Sequence, residues 1–268
     1  AALRGSAFDR ITLRQLGTYS AGELPLQFPD NVTTPADVLA YYRHWQPVHP
    51  AGTTRLYSNP SIGLMGLAAS QATGESFAGL LGTTVLQPLG MNSTYLQVPP
   101  EARSRYAMGY TAAGKPVRVS PGPLNEETYG VKSTTADMAG FLLAHMDPAR
   151  SKGALRSALQ QTRAPVYCAG QTRQGLGWES YQDWKNLDVL LAGNSNQMVF
   201  EPQPVKACPT GTSNEPDVWV NKTGSTAGFG AYAVFLPARQ TGIVILANRN
   251  YPIADRIRLA HGILTALH

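Results

Sequence analysis

Lys222-Thr223-Gly224-Ser225 places an ammonium, two hydroxyls and a residue without a side chain in one short run. On a strand, such a run could offer the Ser225 backbone N–H to a developing oxyanion and present Lys222, Thr223 and Ser225 to a carboxylate. Gly224 would let a ligand approach the backbone closely. Taken alone, the tetrapeptide is more often a solvated turn. Tyr57-Ser58-Asn59 stands immediately before Pro60 and the small, apolar run Ser61 to Ala72, which is the mouth of a helix. Backbone N–H groups and the helix dipole favour negative charge there, and a phenol held beside a lysine ammonium has the surroundings of a tyrosine general base. Asn59 can hydrogen-bond a substrate amide or act as the helix N-cap. Asn248-Arg249-Asn250-Tyr251-Pro252 leads into a third group through Arg256, whose guanidinium could fork onto a carboxylate. The other reading of Arg256 is a surface arginine with a packed stem.

The elements that must position these groups can be read from caps and periodicity. Thr34, Pro35 and Asp37 open a helix running to about Trp45. Thr134 and Asp137 open another, in which Met138, Phe141, Leu142 and His145 recur at helical spacing up to Met146. The last hundred residues turn toward Trp, Tyr, Val and Gly: Phe229 to Leu236 and Ile243 to Ala247 are apolar runs joined by Pro237 to Gly242, a hairpin. Pro252 then opens a terminal helix whose apolar stripe is Ile253, Ile257, Ala260, Leu264 and Leu267. The expected class is α+β: residues 1–160 mainly helical, then 161–268 an antiparallel sheet with a C-terminal helix, the sheet flanked by helices.

Composition narrows the function. With 268 residues, 43% of them hydrophobic, the chain can bury a sizeable core. Its 22 basic and 17 acidic residues give a net charge of +5 without any Lys/Arg block, which argues against a nucleic-acid groove and suits an anionic small molecule or a chance surface excess. No stretch reads as a transmembrane helix or a signal peptide, so the chain is expected to be soluble and without a membrane role. Cys168 and Cys208 could form a disulfide in an oxidising compartment or stay unpaired. The five histidines show no ligand spacing, and neither a metal nor a cofactor is expected.

The order of these runs resembles the class C serine β-lactamases, the cephalosporinases, across nearly the whole chain. The likeness runs from Thr18-Tyr19-Ser20-Ala21-Gly22 and Leu24-Pro25-Leu26-Gln27 through Tyr57-Ser58-Asn59-Pro60-Ser61-Ile62-Gly63 and Tyr129-Gly130-Val131-Lys132-Ser133-Thr134. It continues in Gln174-Gly175-Leu176-Gly177-Trp178-Glu179, Lys222-Thr223-Gly224-Ser225 and Asn248 to Pro252. The related class A enzymes pair a Ser-x-x-Lys with a Lys-Thr-Gly, and Tyr-x-Asn stands here where they carry Ser-Asp-Asn. The resemblance implies the serine β-lactamase/D,D-peptidase fold, a β-lactam substrate, a periplasmic location and a monomer. It makes Tyr57 the phenol that activates the nucleophile and the deacylating water, with Lys222 as its cationic neighbour. Gln27 and Asn59 would contact the substrate's acylamido group, Tyr129 would line the side-chain pocket, and the Ser225 N–H would form half of the oxyanion hole. Thr223, Gly224, Ser225 and Arg256 would receive the substrate at its carboxylate end.

Two departures from the pattern carry expectations. Ile253 stands where many relatives have asparagine, so the carboxylate end should be less polar. No lysine of the chain has a serine three residues before it; the expectation is that the nucleophile lies on an N-terminal segment outside these residues, together with the family's first helix and outer strands, and that the chain alone is inactive. A D,D-peptidase or esterase of the same fold, a catalytically silent β-lactam-binding fragment and a protein-interaction module are the rival readings. The width of the pocket falls to the loops around Tyr129 and between Leu187 and Thr212.

Overall fold

Cap residues start two of the helices where the sequence places them, at Thr34 and Thr134. The computed structural model describes residues 2–208 and 217–268. Thr34 accepts from the Asp37 N–H while the Asp37 carboxylate accepts from the Thr34 N–H, a capping box that opens α1 (Pro35–His44). Helix α2 (Asn59–Thr73) is capped by Ser58, whose hydroxyl accepts from the Ser61 N–H; Asn59 is therefore the first helical residue and not the cap. Thr134 caps α3 (Thr135–Met146), but Asp137 closes no box there. Its carboxylate instead takes the Ser93 N–H and the Thr94 hydroxyl, fastening the helix to a distant loop. Helix α4 (Gly153–Arg163) completes this helical part, whose core gathers Leu16, Leu24, Val38, Tyr42 and Leu64.

Six strands follow as an uninterrupted antiparallel meander: β1 (Tyr167–Ala169), β2 (Thr172–Gln174), β3 (Glu179–Tyr181), β4 (Trp219–Thr226), β5 (Phe229–Leu236) and β6 (Thr241–Ala247). Two short helices, α5 (Leu187–Gly193) and α6 (Asn196–Phe200), lie between β3 and β4. The hairpin of β5 and β6 lies where the sequence puts it, although β6 begins two residues early because Gln240 takes up the left-handed conformation that the turn needs. Strand β6 forms the edge of the sheet and carries neither a charge nor a proline, so nothing in it discourages pairing with another chain. Cys168 and Cys208 are joined in a disulfide.

Alternation along β5 separates two cores. Tyr232, Val234 and Leu236 face α7 (Ile253–Leu267), whose Ile257, Ala260 and Leu264 are fully buried with Trp219. Leu267 departs from the expected stripe and stays 62% exposed. Phe235 faces the other way, packing with Val220, Trp178 and the α3 residues Leu142 and Met146. The sheet thus lies between α3 and α7.

His145 of α3 is buried among Phe141, Trp178 and Phe235, with Nδ1 at 3.0 Å from the Phe141 carbonyl. Burial pulls its imidazole down to about 4, the Phe141 carbonyl opposing and Arg163 adding. The unfolded chain takes that proton near pH 6.5 and the folded chain only near 4. Stability is therefore full above about 6.5 and falls by on the order of 3 kcal/mol as the pH drops toward 4. Urea melts at pH 7 and 4.5 should show this loss in the parent and a smaller one in His145→Gln; equal losses would place the titrating group elsewhere.

Candidate active site

Four long-range hydrogen bonds fix the mouth of α2. The Tyr42 hydroxyl donates to the Pro60 carbonyl at 2.7 Å and the Ser61 hydroxyl to the Leu16 carbonyl at 2.8 Å. The Leu56 N–H donates to the Tyr19 carbonyl and the Asn59 N–H to the Leu26 carbonyl, each at 3.0 Å. The segment from Tyr19 to Gln27 is thereby laid against Leu56–Asn59, which brings Gln27 alongside Asn59.

On the sheet side, the pairing of β3 with β4 reaches only to Glu179, the first residue of β3, opposite Asn221, while β4 runs on to Thr226 with only β5 beside it. A strand turns the N–H and C=O of alternate residues to alternate edges, so the stretch Lys222–Thr226 has backbone groups open on the side β3 leaves uncovered. The Lys222 ammonium donates to the Thr223 carbonyl at 2.9 Å and lies 4.8 Å from the centre of the Tyr57 ring. Around this pair opens a cavity of about 1700 Å³. Tyr57, Gln27, Asn59, Tyr129, Lys222, Thr223, Gly224 and Ser225 all line it. A Cβ on Gly224 would meet only the Ala231 Cβ, at an ordinary 3.6 Å; protein packing does not demand the glycine, which leaves the cavity side as its reason.

Arg256 is the exception among the expected site residues. Its side chain is fully buried and does not line the cavity. One terminal nitrogen donates to the Gly224 carbonyl at 2.7 Å and to the Ala231 carbonyl and Ser225 hydroxyl at 3.2 Å; the other donates to Asn250 Oδ1 at 3.0 Å and to the Tyr251 carbonyl. Gly230 makes room for it, because a Cβ there would stand 2.6 Å from the guanidinium carbon. The expected fork onto a substrate carboxylate finds no free terminal nitrogen: protein acceptors occupy both, and only Nε, buried, has no hydrogen-bond partner among the described residues. What faces the cavity is what the guanidinium holds, Ser225 and Asn250. Ile253 also lines the cavity while packing on the sheet core, which makes that end apolar beside the two polar side chains.

Sequence reasoning missed the charged side of the cavity. Arg55 and Glu179 line it as a buried ion pair at 2.8 Å, with Arg55 also donating to Gln174 Oε1 at 2.8 Å and the Met198 carbonyl at 2.6 Å. Burial pulls the Arg55 pKa down, but Glu179 and the nearby phenols outweigh it and hold the pKa up, so the guanidinium stays charged. Arg105, Arg118 and Lys132 add positive charge to the walls against the single carboxylate of Glu179, a field suited to an anion. Of these, Glu179 and Lys132 lie inside runs that the resemblance marks; Arg55 has no local signal. Helices α5 and α6 and the residue after α5 supply Gly193, Met198 and Asn194 to the lining, and the end of the expected Leu187–Thr212 region, from 209 on, lies outside the described residues. No group of three or more His, Cys, Asp or Glu side chains able to hold a metal occurs among the described residues.

A family model described as Beta-lactamase matches residues 2–268. This chain belongs to the β-lactamase family. It is 48% identical over 266 residues to a β-lactamase of Pseudomonas fluorescens, covering 99% of this chain and 74% of that protein, and 44% identical over 267 residues to one of Escherichia coli K12, covering 99% and 70%. Among solved structures it superposes on a β-lactamase/D-alanine carboxypeptidase of Pseudomonas syringae with a TM-score of 0.95 at 41% identity, over 100% of this chain and 75% of that one. A class C β-lactamase gives a TM-score of 0.91 at 37% identity, over 99% and 73%. The serine β-lactamase/D-alanine carboxypeptidase fold expected from the sequence is thereby shown.

In this β-lactamase, replacing Arg256 should weaken the fold before it weakens anything else. Arg256→Ala strips buried acceptors of their donor at roughly 1–3 kcal/mol each, and Arg256→Lys should rescue little because one ammonium cannot span acceptors on β4, β5 and Tyr251. A thermal melt in which Arg256→Ala matches the parent would return the arginine to the surface role.

Proposed function

We propose that this protein hydrolyses β-lactam antibiotics, chiefly cephalosporins, through a serine acyl-enzyme. The observation that carries the reading is the Lys222 ammonium 4.8 Å from the Tyr57 ring centre, in a cavity with Gln27 and Asn59 on one side and Thr223, Gly224 and Ser225 on the other. Tyr57 takes and returns the proton of the attacking hydroxyl and of the deacylating water, and Lys222 steadies the negative charge on the phenol. Gln27 and Asn59 hold the acylamido group, and Tyr129 lines the side-chain pocket. The Ser225 N–H meets the oxyanion from the uncovered edge of β4, while Thr223 and Ser225 receive the carboxylate with Arg256 behind them. On this reading the acylated serine stands on residues outside this sequence, because no serine here has the lysine one turn on that would accept its proton. The disulfide fits a periplasmic protein, and the small-molecule chemistry asks for no second subunit.

A second reading, a D,D-peptidase of the same fold, is favoured by the double name of the Pseudomonas syringae structure. The fate of the acyl-enzyme separates them: rapid hydrolysis of a cephalosporin marks the lactamase, long-lived acylation the peptidase.

In the protein carrying its Ser-x-x-Lys segment, Lys222→Ala should slow cephalosporin hydrolysis by about a hundredfold or more with an unchanged melt, and a loss within about threefold, roughly 0.7 kcal/mol, would remove the assigned role. The 268-residue chain alone, incubated with a slow cephalosporin, should show no acyl adduct by intact mass. An adduct would overturn the external nucleophile, and peptide mapping would name the serine involved.

A further inference from the structure

The buried ion pair beside the site has no part in the chemistry above, yet one ring connects it to Tyr57. Tyr19 is 3% exposed and, though not a glycine, sits at φ 61°. That left-handed conformation is costly for a bulky residue. Its ring lies 4.7 Å from the Tyr57 ring, centre to centre, while the Arg55 guanidinium stands 5.4 Å from the Tyr19 centre. Arg55 cannot drift, because Glu179, Gln174 and the Met198 carbonyl hold three of its nitrogens. Burial first, then the neighbouring Tyr57 and Glu179, push the Tyr19 phenol up, so the ring between cation and Tyr57 stays neutral. Glu179 in turn pairs with Asn221, the residue before Lys222.

We infer that Arg55, Glu179 and Tyr19 are positioning residues for the Tyr57–Lys222 pair: the ion pair clamps the sheet to Arg55, and the run of contacts from Arg55 through Tyr19 to Tyr57 sets how far the Tyr57 ring stands from Lys222. A buried ion pair contributes little net stability, since desolvation consumes most of its attraction, so its use here is geometric. The inference rests on the catalytic reading of Tyr57, but its test has an arm that does not.

The measurement uses protein labelled in its tyrosine rings, with the Tyr57 signal assigned as the one lost in Tyr57→Phe. Tyr19→Leu and Glu179→Gln should each move that signal by several linewidths, whereas Tyr19→Phe, which keeps the ring, should restore it. In the hydrolysing protein the two disruptive variants should lower kcat on the order of tenfold with KM within about twofold, as a displaced catalytic group does. A Tyr57 signal unmoved in both folded variants overturns the inference whatever the activity shows. A signal moved in Glu179→Gln, which keeps the Tyr19 ring, with unchanged kcat upholds the positioning and overturns the catalytic reading of Tyr57. Should Tyr19→Leu fail to fold, Glu179→Gln decides alone.

Discussion

Arg55 and Glu179 meet where the helical part of the chain faces the sheet, both almost wholly withdrawn from water. Neither charge could remain there without the other, and removing one partner of such a pair typically costs about 3–5 kcal/mol. The contact constrains what surrounds it. Arg55 lies two residues before Tyr57, and Glu179 lies across β3 and β4 from Asn221, beside Lys222. Holding the two charges together therefore holds the approach to α2 and the overrunning end of β4 in register, and the space left between them is the cavity.

A second buried cation works in a similar way at the other end. Arg256 reads in the sequence as a ligand for a substrate carboxylate, but its two terminal nitrogens are taken by Gly224, Ala231, Ser225, Asn250 and Tyr251. Charge hidden behind a strand still raises the local potential in a site of low dielectric. The guanidinium can favour an anion in the cavity that Ser225 and Asn250 line. Gly230 allows the guanidinium to lie flat on the sheet, which ties a glycine on β5 to the electrostatics of β4.

What could be read in advance follows the range of the forces involved. The starts of α1 and α3 depend on caps three residues away, the β5–β6 hairpin on a local turn, and the buried face of α7 on a 3.6-residue period, so all were legible. The same rules misplaced the cap of α2, where Ser58 and Asn59 are equally suitable by type and only the backbone decides. Leu267 fits the period, but it stays exposed at the last turn of the helix. The residues lining the cavity were legible as motifs in order, because each motif sits on its own element. The Arg55–Glu179 pair was not, for its partners are 124 positions apart and no local pattern marks a salt bridge across that distance.

The central claim is that Tyr57 and Lys222 act as one unit, the phenol moving protons under the field of the ammonium. A double-mutant cycle on cephalosporin hydrolysis, in the protein that supplies the nucleophile, measures this directly. With Tyr57→Phe and Lys222→Ala, the double variant should be little slower than the slower single variant, as with residues that function together. Losses that simply add would mean that the two side chains act independently, and would contradict the account.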